Sequence, residues 1–320
     1  MGRTYKVTGI NLKSMPLGEA DRLLTILTRE QGLLRAVATG ARKQNSKLGG
    51  RSELFVVNEW LIAQGRSLDK VLQAETLESY PGLGQDLRKL TASQYLAEIC
   101  LCQALSEQPQ EELFYLLNEH LKRIEQSPSN QVLAHLTHGI FQLLVLAGIA
   151  PQVHLCCVTQ QTLTPDFSSP DWRVGFSIPS GGTVSLAVLE RLRAAQRLPR
   201  KRPATAYQPT IQADSTIASQ PFPWQQEPAS HSTRQASALN LFVSAAELAL
   251  LQPLNQAELP QVSTLIPHVL PDSTKVEGLW RAIEQILRHY AQYHFDRTIR
   301  SATLIDACFG SAGPSLNPSL

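Results

Sequence analysis

Tyr5, Val7, Ile10 and Leu12 stand between polar neighbours, with a slip of phase at Gly9. A period of two predicts a strand over Tyr5–Leu12 with a bulge at Gly9. Pro16 and Gly18 predict a turn. Two short apolar runs, Arg22–Thr28 and Leu33–Ala38, are joined by Arg29-Glu30-Gln31-Gly32. That is the pattern of a hairpin with glycine at the position needing positive φ. Residues 40–52 are polar, basic and glycine-rich, which predicts a loop. Leu54–Ala63 and Leu68–Leu77 are two further strand-like runs, separated at Gly65. Five short strands with turns between them fit a small closed barrel of the OB type.

After Pro81 the period changes from two to that of a helix. Leu87–Leu105, Glu111–Ile124 and Gln131–Ala147 carry apolar residues at helical spacing, and Val132, Leu133, Leu136, Ile140, Leu143 and Leu144 line one face of the third. Asp86 and Ser129 are the expected N-caps, and Gly148 with Pro151 ends the third helix. Pro151–Ser185 has no clear period, Leu186–Arg197 predicts another helix, and residues 198–238 are rich in Pro, Gln, Ser, Thr and Ala. Such a composition predicts a disordered insertion. Helical pattern resumes at Ser244–Leu251 and again at Val276–Tyr293, where Leu279, Ile283, Ile286, Leu287 and Tyr290 form a stripe. The expected fold class is α+β. An OB-fold nucleic-acid-binding domain occupies 1–80 and a helical domain begins at 81–150. An irregular lobe at 151–185, a helix at 186–197 and the insertion at 198–238 follow. The helical domain is completed at 239–308, and 309–320 is read as a flexible tail.

The chain of 320 residues is 43% hydrophobic and 18% charged, ordinary for a globular protein and ample for a core. No stretch reaches the roughly 18 apolar residues of a membrane span, and Met1–Lys13 lacks the apolar segment of a signal peptide. A cytoplasmic protein with no membrane partner is expected. Five irregularly spaced cysteines predict reduced thiols rather than a disulfide framework. The net charge of +2 conceals an asymmetry. Residues 1–51 hold ten Lys or Arg against three acids, Glu19, Asp21 and Glu30, whereas the rest of the chain is net acidic. A basic module on an acidic body points to a polyanion partner.

Catalytic motifs are missing. The sequence has no Walker A, Gly-x-Ser-x-Gly or His-Glu-x-x-His pattern. His135 and His138 stand three apart on a predicted helix, but two histidines with no third ligand nearby read as structural. Glu19 and Asp21 flank a turn and are expected to bond its backbone rather than a cation. Cys100 and Cys102 read as small core residues. The expectation is therefore a non-enzyme without cofactor or metal. Its candidate nucleic-acid-binding residues are Arg22, Arg35, Arg42, Lys43, Lys47 and Arg51. The last four lie within ten residues of one loop, where long cationic side chains can follow a phosphate backbone. Only Tyr5, Phe55, Trp60 and Tyr80 are available as stacking platforms, so phosphate contact is better supported than base readout. Arg281, Arg288, Arg297 and Arg300 are candidates for a second basic patch, with a solvated helix face as the alternative.

Residues 3–98 resemble the N-terminal part of the RecO recombination mediators of bacteria. The match runs through Gly18-Glu19-Ala20-Asp21-Arg22, Leu27–Arg35, Gly40-Ala41-Arg42-Lys43, Tyr80-Pro81-Gly82-Leu83 and Tyr95-Leu96-Ala97-Glu98. A weaker match covers Ile283–Leu304, around Leu287-Arg288 and Arg300-Ser301. The resemblance implies an OB-fold followed by a helical domain. It also implies binding of single- and double-stranded DNA and annealing of complementary strands in the RecF pathway of recombination. RecR, single-strand-binding protein and, indirectly, the RecA filament would be partners. An RNA-binding OB-fold protein of the translation apparatus is the alternative, and a hydrolase with a dispersed site has no supporting motif. One departure matters. Many members of the family bind structural zinc through a Cys-x-x-Cys pair and a second pair after Gly-Gly. Here Cys157 stands in the first pair, Gln160 takes its partner's place, and no cysteine follows Gly181-Gly182. No zinc is expected, and the lobe should be held by packing.

Overall fold

The computed structural model describes residues 3–197, 240–266 and 273–309. The predicted insertion at 198–238, and the predicted tail beyond Phe309, lie outside the described residues. Strands β1 (Thr4–Leu17), β2 (Asp21–Thr28), β3 (Gly32–Ala38), β4 (Val56–Ala63) and β5 (Asp69–Ser79) close into a barrel of order β1-β2-β3-β5-β4. All neighbours are antiparallel except β3 and β5, which run parallel over Ala36–Ala38. Val7, Leu24, Ile26, Ala36, Ala38, Trp60, Ile62, Val71 and Ala74 fill the interior.

The first strand is longer than its alternation suggests, because Pro16 extends the ladder rather than starting the turn. The irregularity lies between Asn11 and Lys13, not at Gly9. Glycine is required at position 9 for a different reason. Its carbonyl accepts the indole N–H of the buried Trp60 at 2.9 Å, and a Cβ there would meet Ile26 Cγ2 at 2.7 Å and the Leu27 carbonyl at 2.9 Å. Gly32 does sit in the left-handed region, with φ of 64°, at the tip of the β2–β3 hairpin.

Helices α1 (Leu87–Gln103), α2 (Glu111–Gln126) and α3 (Val132–Leu146) follow. The Asp86 carboxylate caps α1 by accepting the Arg88 N–H. The expected cap at Ser129 is not formed. Ser129 begins a 3-10 turn and donates to Asp86 instead, and α3 starts without a side-chain cap. All six residues of the predicted α3 stripe are buried, and Phe141, Thr137 and His138 on other faces are buried too. α3 is therefore the central helix, packed between α1, α2 and the long helix that closes the body.

The lobe read as irregular carries two short strands, β6 (Arg173–Ser177) and β7 (Gly182–Val184). Helix α4 (Leu186–Arg197) packs on β6. A third strand, β8 (Asn240–Ser244), completes a sheet of order β7-β6-β8. Ser244 then caps α5 (Ala245–Leu251) in a capping box with Glu247. A single turn, α6 (Val262–Leu265), precedes α7 (Ser273–Phe295), and α8 (Ala302–Phe309) ends the described chain with Phe309 buried.

Where α2 meets α3, the His120 and His138 rings pack edge to face at 5.3 Å, and His135 is half-buried close by. Burial lowers all three pKa values, with His138 and Arg123 adding to the effect on His120 and His135. His120 falls to about 3 and His135 to about 4. A group whose folded pKa is depressed binds protons more readily in the unfolded chain. Its contribution is complete above an unfolded pKa of about 6.5 and is lost as pH falls towards the folded value. His120 alone should cost about 2 kcal/mol at pH ~5. Urea melts between about pH 7.5 and 5 should show this decline, and His120→Gln should make it shallower. A stability independent of pH over that range would contradict the burial.

Candidate nucleic-acid interface

The basic loop between β3 and β4 is compact. The Gly40 N–H donates to the Asp21 carboxylate at 2.7 Å, and the Arg42 N–H donates to the Ala20 carbonyl at 2.9 Å. Asp21 thus bonds backbone, but that of the β3–β4 loop rather than of the turn it flanks. Further backbone turns join Lys43 to Gly40, Ser46 to Lys43 and Gly49 to Ser46. Ala41 and Leu48 pack on the barrel core. The buried Asn11 side chain donates to the carbonyls of Ser52 and Glu53 at 2.8 and 3.1 Å, tying the far end of the loop to β1. A loop fixed at both ends holds its cations in place before a ligand arrives, which lowers the ordering cost of binding.

The six sequence-predicted residues occupy different situations. Arg42, Lys43 and Lys47 are exposed and make no ion pair among the described residues. Arg42 does reach the Gly18 carbonyl at 3.2 Å. Arg51 is half-buried beside them, and its carbonyl accepts from Asn58. Arg22 is committed elsewhere. Its guanidinium spans the barrel mouth to Gly49, Ser52 and the Glu53 carboxylate, the last at 2.7 Å. It organises the loop rather than presenting charge. Arg35 is half-buried on β3, on the outer face of the sheet.

That outer face holds cations that the sequence reading did not single out. Lys13, Thr25 and Arg35 stand opposite one another across β1, β2 and β3. Met15, Leu23, Val37 and Lys70 form the next such row, reaching β5. Residues opposite in a ladder share a face, and Lys13, Lys70 and the nearby loop residue Arg66 are exposed. The four aromatics available as stacking platforms are not displayed on this surface. Phe55, Trp60 and Tyr80 are buried, and Tyr5 is half-buried with its hydroxyl donated to Asp69.

The second predicted basic patch is split, because Arg297 and Arg300 are exposed while Arg288 and Arg281 are taken up by carboxylates. Arg288 is almost buried between Glu284 and Asp306, and Arg281 lies 4.0 Å from Glu277.

In the lobe it is Cys156, not Cys157, whose sulfur turns inward. It is fully buried against Val184, Val188 and Leu189, and accepts N–H groups from Thr159 at 3.4 Å and Ser185 at 3.3 Å. Burial pushes this thiol up, but these donors outweigh it and bring it to about 7. Main-chain bonds from Gln152 to Gly181, Thr183 to Gln152 and Cys157 to Thr183 lace the two halves of the lobe together. Gln252 adds bonds to the carbonyls of Val153 and Leu163. Structural zinc needs four ligands. One sulfur already occupied by backbone donors, facing Val184 and Ser185, does not fit that requirement. Among the described residues no group of three or more His, Cys, Asp or Glu could hold a metal ion.

The structure defines a class, an OB-type barrel with an uncompensated cationic loop, set on a helical body. Among the described residues no helix is long and apolar enough to cross a membrane. Residues 1–80 match the family Recombination protein O N terminal, and residues 84–204 match Recombination protein O C terminal. The DNA repair protein RecO of Acaryochloris marina is 55% identical over 310 residues, covering 97% of this chain and 96% of its own. That of Nostoc sp. is 52% identical over 314 residues (97% and 98%), and that of Gloeobacter violaceus 41% over 308 residues (96% and 95%). The chain belongs to the RecO family of DNA repair proteins.

Proposed function

We propose that this chain is a non-catalytic mediator of the RecF pathway. It binds single- and double-stranded DNA through the barrel, anneals complementary strands and, with RecR, helps RecA onto strands coated by single-strand-binding protein. The observation that carries the reading is the anchored loop with Arg42, Lys43 and Lys47 exposed and without an ion pair among the described residues, beside the Lys13, Arg35 and Lys70 face. Phosphates meet such a surface without regard to sequence, as annealing of arbitrary strands requires. Membership of a DNA repair family supports these partners, and action on DNA supports a cytoplasmic, nucleoid-associated location. The lack of an open aromatic on the barrel favours backbone contact over the base stacking of sequence-reading RNA binders.

Replacing Arg42, Lys43, Lys47 and Arg51 by Ala should lower the salt slope of single-strand binding by about 2–3, at roughly 0.7 per phosphate contact. Oligonucleotide anisotropy across a salt series measures it. An unchanged slope would mean that the loop is only solvated surface. Purified protein should also speed annealing of complementary DNA oligonucleotides without nucleotide. Tight RNA binding with no acceleration would favour the translation-apparatus reading instead.

A further inference from the structure

The three-stranded sheet of the lobe has two faces. Val174, Phe176 and Val243 are buried in the main core on one side. Gly175 and its cross-strand partner Phe242 lie on the other. That second face takes α4 so closely that a Cβ on Gly175 would lie 2.8 Å from Leu189 Cβ. One helical turn beyond Leu189, Arg193 therefore lands over Phe242, its guanidinium 4.1 Å from the ring centroid. Arg173, two residues before Gly175 on β6, brings a second guanidinium to 4.4 Å from the same ring.

Phe242 is 41% exposed. Arg193 gives one N–H to the Asn240 carbonyl at 2.9 Å. Arg173 makes no hydrogen bond or ion pair among the described residues, and neither arginine meets a carboxylate there. Asp171 and Glu190, the acids nearest in sequence, pair with neither. An arginine that only clamps α4 to the sheet would need one guanidinium, as Arg193 shows. Two like charges on one exposed ring repel each other. Cation–π attraction to the ring offsets this while leaving the outward N–H groups open.

We propose that Arg173, Phe242 and Arg193 form a second contact site for the phosphodiester backbone of a nucleic-acid strand, separate from the barrel loop. The ring carries both planar guanidiniums within 4.4 Å of its centroid, and each presents a donor fork of the geometry that matches phosphate. The inference rests on the nucleic-acid reading above. Annealing must bring two strands to one protein, and a second phosphate-binding point on the body would serve the strand that the barrel does not hold.

The test compares full-length wild type, Arg173→Gln/Arg193→Gln, Arg173→Lys/Arg193→Lys and the four-residue loop variant, alone and combined with the Gln pair. Binding of labelled single-stranded oligo-dT is followed across a salt series, with thermal midpoints to confirm folding. The Gln pair should lower the salt slope by about 1.4, at roughly 0.7 per contact, in both backgrounds. The Lys pair should keep the wild-type slope. An unchanged slope in the Gln pair, with a reduced slope in the loop variant, overturns this site and leaves the barrel reading intact. A Lys pair with the Gln pair's slope and a lowered thermal midpoint also overturns it, because the arginines would then act through the fold. No salt-dependent binding by wild type would defeat both readings together.

Discussion

Arg288→Ala is expected to destabilise the protein by about 3–5 kcal/mol, the range for removing one partner of a buried ion pair. Arg288 donates from Nε and Nη2 to the two oxygens of Glu284 at 2.9 and 2.7 Å. The same guanidinium donates to both oxygens of Asp306 at 2.7 and 3.0 Å. Glu284 is fully buried, and Tyr95 of α1 is buried beside it. Burial pushes the Glu284 carboxyl up, and Arg288 is the main influence that holds it down. Asp306 is shifted the other way, lowered first by its bond to Arg288. Without the guanidinium, Glu284 has neither solvent nor a cation, and α7 loses its polar tie to α8. A urea melt at neutral pH measures the loss. Replacing Glu284 and Arg288 together by Met should recover most of it, since a well-packed apolar pair avoids the desolvation of both charges. A loss below about 1 kcal/mol for Arg288→Ala would show that Glu284 reaches water or a proton without strain.

The same arginine shows where sequence reasoning stops. Arg288 was legible as one of four C-terminal cations, but nothing in the sequence says that its charge is consumed by Glu284 one turn away and by Asp306 on the next helix. Arg22 repeats the lesson in the barrel, where Glu53 takes up a charge that the local sequence leaves free. Burial and pairing are tertiary facts. Charge density along the chain locates a basic module without telling its structural arginines from its displayed ones.

What was legible rested on period. The barrel strands alternate because one face is interior, and α7 carries a stripe because it buries one side, whereas α3 is buried on most of its faces and its stripe marks only part of them. Lys13 and Lys70 were harder to place, because neither is near Arg35 in sequence. The ladder registers bring them together across β1, β2, β3 and β5. The β6–β8 sheet escaped for two reasons. Its strands are three to five residues long, too short to show a period, and β8 pairs with β6 across more than sixty residues of chain. The Arg173–Phe242–Arg193 group depends on that pairing and on the close approach of α4 at Gly175, so no local pattern announces it.

Gly32→Ala is the second change expected to have a large effect, and Gly18→Ala is its control. Both glycines adopt left-handed backbone, with φ of 64° and 58°. An alanine at either position should cost about 1–3 kcal/mol for the backbone alone. Their surroundings differ. Nothing lies within 4 Å of a Cβ at Gly18, whereas at Gly32 it would lie 2.1 Å from the Leu105 carbonyl oxygen and 2.5 Å from that of Gln108. These oxygens belong to the link between α1 and α2, on which the β2–β3 hairpin rests. The Leu33 N–H donates to Leu105 at 2.8 Å, and the Gln110 N–H donates to Arg29 at 2.9 Å. An added methyl must push the hairpin off this link and break both bonds, at about 1 kcal/mol each. The excess loss of Gly32→Ala over Gly18→Ala therefore reads the docking of barrel on body, free of the backbone term. Limited proteolysis within 104–110 should quicken in Gly32→Ala and stay unchanged in Gly18→Ala. Equal losses in the two variants would mean that the barrel is not seated against the body at this point. The barrel would then be held to the body by the shared core around Ile10, Leu12, Leu27 and Phe55 alone, and the hairpin would add nothing to the alignment of the barrel loop with the lobe arginines.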